Sequence, residues 1–79
     1  MTPQRPVERA DRAGALVADA QRLFKARRFD EALEAAQALM LLEPESAQAW
    51  NLLGVVQASR RKLDEAVAAH ERATALAPD

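Results

Sequence analysis

Apolar residues recur along this chain at the spacing of one helix face. Leu16, Ala20 and Leu23 stand at i, i+4 and i+7, and Leu33, Ala36 and Met40 at i, i+3 and i+7. Further stripes follow in Trp50, Leu53 and Gly54, and then in Ala66, Val67, Ala73 and Leu76. The pattern predicts four helices over residues 7–26, 30–42, 46–59 and 64–76. Asp30 and Asp64 are expected to cap the second and fourth, with Glu31 and Glu65 in the first turn favoured by the helix dipole. Ser46 suits the cap of the third, and Pro44 and Pro78 stand just past helix ends, where they forbid continuation. Residues 1–6 hold two prolines and no apolar period, so they read as a frayed lead-in with Pro6 in a first turn. Val7, Ala10, Gly14 and Val17 extend an apolar face upstream and would shield the start of the first helix.

The second half of the chain repeats the first. Arg28-Phe29-Asp30-Glu31-Ala32-Leu33 recurs 34 residues later as Lys62-Leu63-Asp64-Glu65-Ala66-Val67, and Leu42-Glu43-Pro44 as Leu76-Ala77-Pro78, with no gap. Each unit is then a helix–turn–helix. The chain divides into a lead-in and helix extension over residues 1–12, a first repeat over 13–46 and a second over 47–79.

Trp50, Leu53-Gly54, Ala66, Ala73 and Pro78 stand at the spacings by which the second unit closely resembles the tetratricopeptide repeat, and the likeness extends over roughly residues 13–79. Small residues at Gly54 and Ala66 let the paired backbones approach, while Trp50 supplies bulk against the preceding helix. The departures are Gln57 for the usual tyrosine, His70 for phenylalanine and, in the first unit, Leu16, Asp19 and Ala20 for tryptophan, leucine and glycine. A terminal repeat whose outer side meets water tolerates such changes. The resemblance implies an all-α fold, an α-α superhelix of two hairpins and four antiparallel helices.

Composition narrows the chemistry. Eleven basic and twelve acidic residues leave a net charge of −1, too weak a field to argue for nucleic acid or an anionic membrane. Cysteine is absent, which excludes disulfides and thiolate metal sites. The first residues lack the apolar run of a signal peptide and nothing reaches transmembrane length, so a cytoplasmic location is the default expectation. No phosphate-binding loop, paired carboxylate or nucleophile–base set is present, so neither catalysis nor a cofactor is expected.

The resemblance implies a protein or peptide partner on the concave face made by the first helix of each repeat. Projected on helical spacing, that face carries Gly14, Val17, Gln21, Phe24 and Lys25, and one repeat later Gln48, Asn51, Val55, Ala58 and Ser59. The amides of Gln21, Gln48 and Asn51 can pair with a main chain, and Val17, Phe24 and Val55 offer apolar contact. Phe24 at this spacing is more often a core residue than a ligand contact. Chaperone-binding relatives clamp a terminal carboxylate with lysine, arginine and asparagine; Val17, Gln21 and Leu52 stand in those places, so no such clamp is expected.

Lys25, Arg27 and Arg28 fall at one turn and Arg60, Arg61 and Lys62 at its equivalent, predicting a basic edge opposite Glu43, Glu45 and Asp79. Such an edge would steer an acidic partner, or simply complement helix C-termini and keep the turns soluble. His70, the single histidine, reads as a half-buried core or interface residue rather than a ligand, because no further metal ligand shares its face.

No third hairpin or capping helix follows the second repeat, which should leave Val67, His70 and Thr74 open on the last helix. Either the chain self-associates there or a following segment of a longer protein covers it. The second is favoured, because the sequence ends where another repeat would begin. The alternative to a peptide-binding module is thus an N-terminal oligomerisation or scaffold segment of a larger protein, recruiting substrate to a downstream catalytic domain in one version. Alanine- and arginine-rich composition suggests a bacterial source.

Overall fold

A computed structural model describes residues 6–77, with side chains from Glu8 onward. Four helices follow in order, α1 (Pro6–Lys25), α2 (Phe29–Leu42), α3 (Ala47–Ser59) and α4 (Leu63–Leu76). The all-α expectation holds, and each helix bound lies within one residue of its prediction. Pro6 opens α1, where a missing N–H leaves no hydrogen bond unmade. The lead-in at residues 1–5, the side chain of Val7 and the stop at Pro78 lie outside the described residues.

Two hairpins, α1–α2 and α3–α4, pack through α2 against α3, while α1 meets α3 along a short seam and α4 packs on α3 alone. Alanine makes this packing. Of the nine buried apolar residues, seven are alanines (Ala20, Ala32, Ala36, Ala49, Ala66, Ala69 and Ala73), joined by Leu39 and Val56. A methyl-only side chain lets helix axes approach to the short end of the usual packing range.

The turns repeat as closely as the helices. After α1, Arg27 N–H donates to Phe24 O at 2.9 Å and Arg28 N–H to Leu23 O at 2.8 Å. After α3, Arg61 N–H donates to Ala58 O at 3.0 Å and Lys62 N–H to Gln57 O at 2.8 Å. This is the Schellman arrangement, and it requires a left-handed residue at its corner, here Arg27 with φ 62° and Arg61 with φ 65°. Glycine usually stands at that corner because a Cβ is strained there.

Capping corrects one expectation. Asp30 and Asp64 are not caps: α2 and α4 begin one residue earlier, the cap positions are Arg28 and Lys62, and neither makes a side-chain cap bond. The Schellman turn delivers the chain straight into the next helix and leaves the two aspartates inside the first turn, where their charge favours the dipole. Ser46 does cap α3, its hydroxyl oxygen accepting from Ala49 N–H at 3.2 Å. Trp50 closes the same turn by donating from Nε1 to Pro44 O at 2.9 Å.

Gly54 is buried where α3 and α4 cross, and a Cβ there would lie 2.6 Å from the His70 ring. His70 itself is exposed, as expected for the open face of α4 and unlike a half-buried core residue, because no described element lies beyond α4. Its imidazole covers Gly54 and holds Asn51 Oδ1 at 3.2 Å from Nδ1.

Two stability predictions follow from the turns and the crossing. Arg61→Gly should raise stability by about 0.5–1 kcal/mol in urea denaturation. Arg27→Gly should gain less, since its guanidinium also lies 5.9 Å from the Phe29 ring centroid. Gly54→Ala should be close to neutral alone, its helix-propensity gain offset by displacement of His70. In a His70→Ala background the same change should stabilise by about 1 kcal/mol, a coupling that a double-mutant cycle reads directly.

Candidate functional site

The antiparallel hairpins bring α1 and α3 side by side in the same direction, and two open hollows lie along the line between them. The first has a volume of about 450 Å³ and is walled by Ala10, Ala13, Gly14 and Val17 of α1, Leu39 and Glu43 from the end of α2, and Ser46 and Gln48 at the start of α3. The second, about 360 Å³, lies further along α1 and is walled by Gln21, Phe24, Lys25, Leu52 and Val55. Seven of the ten projected groove residues therefore line one hollow or the other: Gly14, Val17 and Gln48 the first, Gln21, Phe24, Lys25 and Val55 the second.

Three do not. The side chain of Asn51 is engaged with His70 of α4, and Ala58, exposed, and Ser59, half-buried, lie at the end of α3 outside both hollows. Phe24 serves core and hollow together: half-buried, it packs at a tilt on Phe29 with ring centroids 5.4 Å apart. The projection did not include Ala10, Ala13, Leu39, Glu43, Ser46 or Leu52. Leu52 was legible as a neighbour of Asn51 on α3, but Glu43 lies beyond the end of α2, where helical spacing no longer predicts direction.

The basic edge is more compensated than its residue types suggest. Arg60 Nε donates to Asp30 Oδ1 at 2.9 Å, tying the second turn to the start of α2. Arg28 Nε donates to Glu31 Oε1 at 2.7 Å, and Arg27 lies against Phe29. Lys25, Arg61 and Lys62 are left without an ion pair among the described residues. At the opposite end Glu43 and Glu45 are likewise without one, and Asp79 lies outside the described residues.

The outer side of α4 forms a third hollow, about 530 Å³, walled by Val67, His70, Glu71, Thr74 and Ala75. Val67 is 56% exposed. The residues one repeat earlier, Leu33, Ala36 and Met40 of α2, are half-buried or buried. No helix among the described residues is long and apolar enough to cross a membrane.

No curated protein and no solved structure matches the chain. The family model described as Tetratricopeptide repeat matches residues 17–79. Repeats of this family typically serve as non-catalytic modules of protein–protein interaction. With four helices in two like hairpins, small residues at the crossings and that match over most of its length, the chain belongs to the tetratricopeptide repeat family.

Proposed function

We propose that this chain is a non-catalytic protein-interaction module that holds a peptide or helix of its partner in the groove between α1 and α3. The observation that carries this reading is the pair of hollows in line along α1, with Val17, Gln21, Phe24, Lys25, Gln48 and Val55 on their walls. Their openness suits a chain laid across them. Gln21, Gln48 and Val55 are exposed, so their amides and methyls are available to an incoming main chain and its side chains. Repeats 13–46 and 47–79 act together in this reading, since each supplies one wall, and the module works in the cytoplasm.

Val55 is the residue to test. It is 42% exposed and stands on the wall of the second hollow. Among peptides selected from a displayed random library, Val55→Glu should weaken binding at least tenfold in a fluorescence titration, a loss of about 1.4 kcal/mol. Leu41→Lys, at a site 87% exposed and outside both hollows, should leave binding unchanged.

The open face of α4 favours a second reading, in which the module oligomerises or serves as the scaffold segment of a larger bacterial protein. Val67, His70 and Thr74 would then meet another copy or a covering segment. Sedimentation velocity across a wide concentration range checks the self-association arm. That arm expects a concentration-dependent dimer that Val67→Glu removes; a monomer throughout retires it.

A further inference from the structure

The two hollows of the groove differ in charge. Glu43 stands on the wall of the first and Lys25 on the wall of the second, and neither has an ion pair among the described residues. Every other contribution to those walls is neutral, from Ala13, Val17, Leu39, Phe24 and Val55 among others. Each hollow therefore offers one charge beside apolar surface, that of Glu43 half-buried and that of Lys25 exposed. Charges nearby reinforce the difference: Glu45 is unpaired close to Glu43, and Arg61 and Lys62 are unpaired at the end that Lys25 occupies. Arg12, a cation near the first hollow in sequence, lines a different hollow with Leu16 and Leu41.

Resting on the peptide-groove reading above, we propose that the groove selects an extended peptide carrying two side chains of opposite charge about five residues apart. The basic one lies against Glu43 and the acidic one against Lys25, with apolar side chains between them. The spacing comes from α1. The α1 wall of the first hollow, Ala10 to Val17, stands about 12–22 Å from Lys25 along the helix at 1.5 Å per residue, with its middle about 18 Å away. An extended chain covers that span in about five residues at roughly 3.3 Å each. Opposite charges fit both ends at once, whereas a uniformly acidic or basic peptide meets repulsion at one of them.

The test is selection of binders from a displayed random decapeptide library on three versions of the 79-residue chain: wild type, Lys25→Glu and Glu43→Lys. Neither substitution breaks an ion pair seen among the described residues, and circular dichroism checks that both variants keep the helical fold. Each pool is counter-screened on Val55→Glu, so that only groove binders count. Wild-type binders should carry opposite charges four to six residues apart (about the 18 Å span). Lys25→Glu should select basic residues at both places, and Glu43→Lys acidic residues at both. A wild-type binder with its acid replaced by lysine should bind the wild-type chain about tenfold more weakly and regain affinity on Lys25→Glu. Val55-dependent binders with the same charge pattern on all three proteins would overturn this inference while leaving the groove reading intact. Pools without any Val55-dependent binder would overturn both.

Discussion

Close approach of helix backbones through alanine is the constraint on which the rest of this structure depends. A buried methyl contributes little hydrophobic free energy by itself, on the order of 1 kcal/mol. Its value lies in what it permits: with Ala20, Ala32, Ala36, Ala49, Ala66, Ala69 and Ala73 at the contacts, the rods of each hairpin lie close and the two hairpins nest. Larger side chains at these positions would prise the helices apart. Gly54 takes the principle one step further, since the space its missing Cβ leaves is occupied by the ring of His70.

The turns hold that packing in place and set the direction of the groove. Both Schellman ends turn the chain through the same pair of hydrogen bonds, and hollows form between α1 and α3. The arginine at each left-handed corner is an unfavourable choice for backbone strain, and it recurs in both repeats. Arg60 adds a strap across the hairpins through Asp30; with the carboxylate 90% exposed, its contribution to stability is small and its effect is mainly on register.

The two outer sides of the stack are chemically unlike. Where α3 presents Leu53 and Val56, α1 carries Asp19 and Arg22 at the corresponding positions, an exposed pair 3.6 Å apart. The first helix is therefore dressed for water. The last helix keeps Val67 and the methyl-bearing Thr74 and Ala75 around a hollow, an apolar surface with nothing on it among the described residues. Stacking has a direction, set by side chains rather than by the backbone: a charged outer side on α1 and an apolar one on α4.

Helix number, helix type, the period of 34 residues and the small residues at the crossings were all legible in the amino-acid sequence, because each is local or periodic. Ser46 as a cap and seven of the ten residues projected onto the hollows were legible for the same reason. What only the tertiary structure decided lies where the chain leaves helical geometry or where two distant segments compete for one side chain. Glu43 enters the groove from a turn, and Asp30 loses its expected capping role to a turn that hands one helix directly to the next. Asn51 is drawn from the groove toward His70, nineteen residues away in sequence. Which charges remain unpaired was equally a tertiary matter, since the bond between Arg60 and Asp30 joins residues thirty apart. Periodicity fixes which face a residue occupies; only packing fixes what it meets there.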